Sequence, residues 1–429
     1  MKIEIDAGID TANSVSLIAL SEAVNMFWVL AVLLLVTGGR ANKCTLNYEP
    51  SYPAIFTQKI GSNNIILSAR GGQLSWDDRT MVNAYCPAGF RHLALKNPHN
   101  YEDNFDYDTD GNRVYQQSPD MSHLKNIVLS CQDVQMMFEG SKIQNDGQLS
   151  CSTTSKYYET VVPACKYRGL AYGFFIGKQA VVLAEVCYQL DLLQPTFLHY
   201  VAGDRSTILE HQSTHNVANL TTPSVEVFID DSNLEVEMQS LLEAVQESIP
   251  EYATVVQYKL DEFIPLKESL GVFGSYTNDF RSVNMIPWWT SLKLGNWRSI
   301  EEAIETISRN ETYDIFAGIS GVVIYPNNDK CLSTGTLTYK AVPYVRNVPK
   351  YIWNYIRKTK HPDEGVVVIG VNTPFLDSSK GDYIICQDIC DSISWLNSMK
   401  MTRKMAGLGY IFCCKPAEVK DKLDNFPIF

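Results

Sequence analysis

The cysteines constrain the fold of this chain more than any other feature of its sequence. There are 11 of them in 429 residues, and all lie between Cys44 and Cys414. No two form a C-x-x-C pair, so neither a zinc ribbon nor a thioredoxin-type redox site finds support. The pattern is typical of an oxidised protein of the secretory route, in which an odd number of cysteines leaves one thiol over. The sequence therefore predicts a disulfide framework.

A short apolar segment ahead of the first cysteine agrees with that route. Residues 26–36 are all apolar, and a small-x-small site ends at Ala41. The run is too short for a membrane span, which needs about 20 residues, and it fits a signal peptide cleaved near Ala41. Residues 1–25 hold one lysine and four acidic residues, the wrong charge for the start of a signal peptide. We therefore predict translation from Met26, with residues 1–25 a mis-assigned extension and residues 26–41 the signal peptide. An uncleaved membrane anchor is the alternative. The mature protein is predicted to be extracellular, without membrane contact.

Two regions of different pattern follow the predicted cleavage site. The chain is 45% hydrophobic and 20% charged, which is typical of a folded protein and excludes a disordered one. Residues 42–195 contain six cysteines and short apolar runs broken by Gly, Asn, Asp and Pro, and we predict a disulfide-pinned β domain there. Residues 196–429 mix the patterns of strands and helices and form the second predicted domain. The predicted fold class is α+β.

Four elements of the second region are predicted individually. Apolar residues recur at helical spacing over 234–249 and again after a capping box that begins at Ser299. Segments 314–325 and 366–371 consist mainly of apolar residues, which predicts buried strands.

A group of carboxylates in the β-rich region has the spacing of a calcium loop. Asp106, Asp108 and Asp110 alternate ahead of Gly111, so that hard oxygen ligands could converge on Ca²⁺. The twelfth position of such a loop holds glutamate, whereas this chain has Gln117. A calcium site and an acidic surface loop are both open interpretations.

Two sequons are compatible with secretion. Asn219 and Asn310 each begin an N-x-Thr triplet, the acceptor pattern for N-glycosylation.

The segment 284–301 resembles the metal-site segment of the DNA/RNA non-specific endonuclease family, which includes mitochondrial endonuclease G and a secreted animal branch. The positions that keep the family pattern are Asn284, Pro287, Gly295, Asn296, Trp297 and Glu301. Further stretches similar to the secreted branch are 348–353, 368–375, 386–390, 393–396 and 409–414. The resemblance implies a ββα-metal nuclease-like domain over residues 196–429, with nucleic acid as partner and Mg²⁺ or Mn²⁺ as cofactor if the protein is active.

The residues that the family uses for chemistry differ here. The family cleaves phosphodiesters with one metal held by an asparagine, and with a histidine that activates water. Alignment on Pro265 places Leu260, Asp261 and Glu262 where the family has its Arg-Gly-His signature. Lys293 replaces the metal-binding asparagine, and an ammonium group cannot coordinate a cation. The family's glutamine and helical arginine become Trp288 and Glu305.

Two functions remain open from the sequence. The first is a secreted, catalytically inactive nuclease-like protein with a binding or structural role and an unidentified extracellular partner. The second is an active metal-dependent endonuclease with a rebuilt site, in which Glu262 acts as base and Asn296 as metal ligand. A formal net charge of −12 disfavours contact with a polyphosphate, which binds through Lys and Arg. The oligomeric state is not predicted.

The last four cysteines are expected to link two C-terminal segments. Cys413 and Cys414 are adjacent and cannot easily bond to each other, whereas Cys386 and Cys390 are one helical turn apart if that segment is helical. We therefore expect two disulfides between the segments, with the pairing left open.

Overall fold

The protein is described from a computed structural model. The residues that it describes are 43–47, 52–61, 63–67, 73–92, 105–107, 113–115, 123–139, 141–142, 149–153, 155–177, 179–192, 194–203, 257–266, 273–277, 280, 283–326, 334–336, 338–341, 344–375 and 383–427. The predicted signal peptide, the helix at 234–249, Cys331, Asp108, Asp110 and Asn219 lie outside them. Asp106 lies in a described strand, but its side chain is not described. Within the described residues, no helix has the length and apolar character needed to span a membrane.

The part of the chain before residue 152 is built of short antiparallel strands. They are β1 Lys43–Asn47, β2 Ile55–Ile60, β3 Asn63–Leu67, β4 Gln73–Asp77, β5 Met81–Tyr85, β6 Phe90–His92, β7 Phe105–Tyr107, β8 Arg113–Tyr115, β9 Asn126–Gln132, β10 Gln135–Phe138, β11 Ser141–Lys142 and β12 Ser150–Cys151. Six of them form a sheet in the order β11-β10-β9-β5-β2-β3, and the pairs β1-β4, β6-β12 and β7-β8 accompany it.

Alternating side chains give this part a core of its own. In β4, Leu74 and Trp76 are buried while their neighbours are exposed, as expected for a strand with one face on a core. Two disulfides, Cys44–Cys131 and Cys86–Cys151, lie inside the same cluster. The β-rich, disulfide-bonded character predicted from the cysteine pattern is confirmed here.

An eight-stranded antiparallel sheet organises the rest of the chain, in the order β13-β14-β15-β16-β19-β24-β25-β26. The strands after residue 152 are β13 Lys156–Glu159, β14 Arg168–Ile176, β15 Gln179–Gln189, β16 Gln194–Ala202, β17 Tyr258–Glu262, β18 Met285–Trp289, β19 Tyr313–Ser320, β20 Ile324–Pro326, β21 Thr334–Thr336, β22 Thr338–Ala341, β23 Tyr344–Asn347, β24 Tyr351–Lys358, β25 His361–Val371 and β26 Ile411–Cys414. Apolar clusters cover both faces of the sheet, so its central strands are mostly apolar.

The predicted domain boundary at residue 195 falls inside this sheet. β13, β14 and β15 precede the boundary, and β16 spans it. β16 pairs with β19, and this ladder begins with Phe197 opposite Gly318. The apolar cluster of the small strands ends at Cys151, so a division near residue 152 separates the two cores better. The sequence pattern did not reveal this because β13–β16 look like the earlier strands, and their partner β19 lies more than 100 residues further on.

The described residues contain few helices. They are α1 Thr290–Leu292, α2 Arg298–Ser308 and α3 Pro416–Val419, with a π-helical turn at Lys293–Trp297. α2 packs into one of the two apolar clusters of the large sheet and α3 into the other. Shorter 3₁₀ segments are Leu190–Leu192, Phe273–Tyr276, Cys390–Ser392, Ser394–Met399 and Ala406–Leu408. The described residues are thus mostly β-sheet, which agrees with the predicted α+β class only in part.

Two predicted elements differ in detail. α2 buries Ile300 and Ile304 as predicted, but Ser299 does not cap it, because the preceding turn is already helical and occupies the first amide groups. The predicted strand 314–325 is two strands, since Gly321 has φ +65° and the chain turns there.

Candidate functional site

A strand pair and a helix bring the family-pattern positions together. β17 and β18 are antiparallel, with Glu262 opposite Met285 and Leu260 opposite Pro287. The chain then passes through α1 and the π-helical turn into α2. Within this π-helical turn, Gly295 has φ −92° and ψ −116°, which are not helical values, so the chain kinks there. Across the kink, Nζ of Lys293 reaches Oε1 of Glu301.

The ammonium group of Lys293 is the centre of the site. Its Nζ lies 2.7 Å from Oε1 of Glu301 and donates to the backbone carbonyl of Glu262 at 2.9 Å. It also lies 4.7 Å from the centre of the Trp288 ring, a cation–π distance. The Lys293 and Glu301 side chains are only 11% and 8% exposed. A buried positive charge with a carboxylate, a carbonyl and a π face around it has the surroundings of a bound cation.

Glu301 has a second neighbour in the sheet. Burial, and then the negative charge of Glu301, raise the pKa of the Tyr200 phenol above its ordinary value, so Tyr200 stays neutral. Tyr200 is on β16, a central strand of the large sheet, so the site lies beside the middle of that sheet.

Asn284 holds the end of β17 in place. Its Oδ1 accepts the backbone N–H of Ile264 at 3.0 Å, and its Nδ2 donates to the Ile264 carbonyl at 2.8 Å. The backbone N–H of Phe263 donates to the Asn284 carbonyl at 2.6 Å. The Asn284 side chain is fully buried, so its two bonds to Ile264 fix the turn after Glu262.

The Glu262 side chain is engaged in the turn that follows it. Its Oε2 accepts the backbone N–H of Leu266 at 3.2 Å, while the indole N–H of Trp288 donates to the Glu262 carbonyl at 3.1 Å. Lys293 donates to that same carbonyl. Glu262 therefore contacts Lys293 through its backbone carbonyl, whereas its carboxylate binds the backbone of the following turn.

Asn296 is directed to another part of the chain. Its Nδ2 donates to the carbonyls of Thr402 and Gly409 at 2.8 and 2.6 Å, and the residue is 1% exposed. Both amide hydrogens are thus used to hold the loop 402–409 against the π turn. Gly295 is required beside it, because a Cβ there would lie 2.4 Å from the Leu408 carbonyl oxygen.

Glu305 lies one turn beyond Glu301 toward solvent. Its Oε1 accepts from Arg309 at 3.3 Å, and the two side chains are 29% and 68% exposed. Of the positions that the resemblance singled out, the structure brings Glu301, Trp288 and the Glu262 backbone into contact with Lys293. Asn284 holds the adjoining turn, whereas Asn296 and Glu305 do not contact Lys293 in the described interactions.

The residues present do not fit a divalent metal at this centre. A metal bound beside Glu301 would meet the ammonium of Lys293 at a distance where like charges repel strongly in a buried site. The one other close group of ligand-type side chains within the described ranges is Asp388, Cys390 and Cys413. Those two cysteines form a disulfide and offer no thiolate, and Asp388 pairs with Arg403.

The C-terminal cysteines are joined across their two segments. Cys386 bonds to Cys414 and Cys390 to Cys413, and Cys165–Cys187 is the fifth disulfide of the described residues. Between the two segments, the guanidinium of Arg403 is 3% exposed and contacts Asp388 and, at 2.8 Å, Asp391. Sequence reasoning did not predict this buried arginine, because the residues next to it are polar and typical of a surface segment.

Sequence reasoning also missed a buried charged cluster on the opposite face of the sheet. Nδ1 of His199 lies 2.7 Å from Oε2 of Glu185, and Nε2 lies 3.7 Å from Oδ1 of Asp314. The imidazole stacks on Phe316 with ring centres 4.1 Å apart. Nε of Arg357 lies 3.8 Å from Oδ2 of Asp314. Burial alone would lower the pKa of His199, but the carboxylates of Asp314 and Glu185 outweigh burial and raise it.

This cluster predicts a particular pH dependence of stability. Because the folded-state pKa of His199 is raised, its contribution is complete below the unfolded value of about 6.5 and is lost as pH rises through the folded value. We expect the stability lost on His199→Gln, measured by urea unfolding between about pH 5 and pH 9, to shrink as pH rises. Glu185→Gln should flatten that dependence. A loss that stays constant over the whole range would contradict the assignment.

Comparisons with known proteins leave the chain without a family assignment. No family model matches it, and no curated protein matches it. Among solved structures, the complex described as "Crystal structure of the EndoG/EndoGI complex: Mechanism of EndoG inhibition" is similar to it at 11% identity. The match covers 44% of this chain and 71% of that chain, with a TM-score of 0.26. Similarity at this level does not establish a shared fold.

Proposed function

We propose that this chain is a secreted, catalytically inactive relative of the DNA/RNA non-specific endonucleases, with a binding or structural role outside the cell. The observation that carries the proposal is the buried Lys293 ammonium beside Glu301, at the position where the resemblance puts the family's metal ligand. A fixed positive charge there takes the place of the exchangeable cation on which phosphodiester cleavage depends. The proposed role does not include binding of nucleic acid.

Contacts of the other positions support the same conclusion. A base must reach the proton of an attacking water, but the Glu262 carboxylate accepts from the Leu266 amide in its own turn. A metal ligand must lie at the metal centre, but Nδ2 of Asn296 donates to the loop 402–409 and holds the side chain there. Leu260 stands where the signature has a cation for the phosphate, and it packs against the apolar core.

A nuclease assay tests the proposal. Purified protein should release no product from plasmid DNA or RNA in Mg²⁺ or Mn²⁺ beyond that of a mock purification, because neither proton acceptor nor metal ligand is in place. Glu262→Ala is compared with Glu302→Ala, which removes an exposed carboxylate from α2. Robust cleavage that EDTA stops, and that Glu262→Ala abolishes while Glu302→Ala does not, would establish a rebuilt active site instead.

Secretion is supported by five disulfides in the described residues. Asn310 adds a specific test, since it is exposed in the turn that follows α2 and can carry a glycan without disturbing packing. In secretory cells, Asn310→Gln should lose the gel-mobility shift that glycosidase treatment removes from this site, whereas Thr312→Ser should keep it. Equal mobility of the wild type and Asn310→Gln before treatment would show that the sequon is not used.

A further inference from the structure

A surface cavity of about 320 Å³ lies at the end of α2, away from Lys293 in the sequence. The turn 309–312 forms one wall, and the tip of the β24–β25 hairpin forms the other. The backbone N–H of Thr359 donates to the Thr312 carbonyl at 3.1 Å and joins the walls. The volume is at the lower end of small-molecule sites, so the cavity suits a small group.

Its lining is cationic in a chain that is strongly acidic. The basic residues Arg309, Lys358, Lys360 and His361 line the cavity together with Asn310, Thr312 and one acidic residue, Glu311. The net charge of the whole chain is −12, so the excess of positive groups is local.

The single carboxylate is already compensated. Oε2 of Glu311 lies 2.8 Å from Nζ of Lys358 and accepts the Tyr313 hydroxyl at 3.1 Å. The hydrogen bond from Lys358, and to a smaller extent that from Tyr313, lower the pKa of Glu311. Arg309 gives one N–H to Glu305, and a guanidinium carries five. Donors of Arg309, Lys360 and His361 are thus available to a ligand.

Helix electrostatics account for only part of this arrangement. A cation at the C-terminal end of a helix is stabilised by the partial negative charge there, which explains Arg309 without any ligand. The same partial charge disfavours an anion, so several cations are needed to make the electrostatic potential in the cavity positive. Lys360 and His361 come from a hairpin about 50 residues further on, and the helix end does not account for them.

We propose that this cavity binds an oxyanion group, as carried by a phosphate or sulfate ester. The planar guanidinium of Arg309 can donate two parallel hydrogen bonds to such a group, and Lys360 adds a point charge from the opposite wall. The proposal does not depend on the relation to nucleases, because none of these residues contacts Lys293 or Glu301 in the described interactions.

The test is thermal unfolding of the full secreted protein in inorganic phosphate or inorganic sulfate, with chloride keeping the ionic strength constant. Every protein compared carries Asn310→Gln, so that no glycan stands at the cavity wall. The unfolding temperature should rise with phosphate or sulfate and then saturate, because the ion binds the folded state only. Lys360→Gln and Arg309→Gln should each weaken the apparent affinity about tenfold, the effect of losing one charged hydrogen bond. Lys420→Gln, an exposed lysine outside the cavity, is the matched control and should bind as the wild type does.

The outcomes separate the possibilities. Saturable binding of either anion or both, reduced in the two cavity variants and kept in Lys420→Gln, supports the proposal and shows which ester the site prefers. Both anions also stabilise proteins generally by exclusion from the surface, but that effect does not saturate. A non-saturating rise of equal size in all four proteins would overturn the proposal. Isothermal titration of phosphate into each variant, at a temperature where circular dichroism shows it folded, distinguishes lost binding from lost folding.

Discussion

Neutralising Lys293 alone is expected to destabilise the protein by about 3–5 kcal/mol, the usual cost of leaving a buried charge without its partner. Lys293→Met leaves the carboxylate of Glu301, whose side chain is only 8% exposed, without its cation. It also removes one hydrogen-bond donor from the Glu262 carbonyl. The double variant Lys293→Met/Glu301→Leu removes both charges and should cost far less than the sum of the single changes. Urea unfolding under non-reducing conditions measures the three values.

The exposed pair Arg298–Glu302 on the same helix is the matched control. Those side chains are 64% and 57% exposed, and removing their contact should cost at most about 1 kcal/mol. A second readout separates the ion pair from simple packing. In Lys293→Ala, Mn²⁺ should raise the unfolding temperature, because Glu301 and the Glu262 carbonyl are left facing an empty place, whereas the wild type should not respond. A loss for Lys293→Met no larger than that of the surface pair would refute the buried-cation interpretation.

Removing the Cys390–Cys413 disulfide is expected to cost about 2 kcal/mol, because Cys386–Cys414 still closes the segment and the lost bond closes only the short ring between the two bridges. Cys390→Ala/Cys413→Ala should lower the midpoint of urea unfolding accordingly. Cys165→Ala/Cys187→Ala is the comparison, since its separation of 22 residues is closed by no other disulfide of the described residues and predicts a larger loss, about 3 kcal/mol.

The two variants should differ in where the structure loosens. Cys390 and Cys413 flank the segment that holds Arg403 and the loop contacted by Asn296, so hydrogen exchange should quicken around residues 402–409 and the π turn in that variant. Exchange there should stay unchanged without Cys165–Cys187. Equal exchange in both variants, or a stability loss below about 1 kcal/mol, would show that the C-terminal bond does not support the site.

Local patterns predicted what local forces determine. The spacing of Ile300, Ile304 and Ile307 indicated α2, and two of those side chains are buried while the third packs at the edge of the core. The continuous apolar run at 366–371 lies within β25. The domain boundary was not predictable in the same way, because the pairing of β16 with β19 joins strands that are distant in the sequence.

The site shows a similar division. The resemblance to the endonuclease family singled out Lys293, Glu301 and Glu262 in the sequence, and the structure brings Lys293 into contact with the other two. Residue types and spacing could not show that Lys293 meets the backbone carbonyl of Glu262 instead of its carboxylate. Nor could they show that Asn296 is directed to Gly409, since both depend on how distant loops approach the π turn.

The disulfides at Cys413 and Cys414 have a consequence for self-association. β26 is an edge strand of the large sheet, and an open edge can pair with a strand of another molecule and begin aggregation. Here the outward N–H of Cys413 donates to Oδ1 of Asp388 at 3.2 Å, and its carbonyl accepts from Ile389 at 2.9 Å. The cross-linked segment therefore closes this edge, and reducing agents would uncover it. Storage under reducing conditions should favour intermolecular β-sheet even where the sheet itself remains folded.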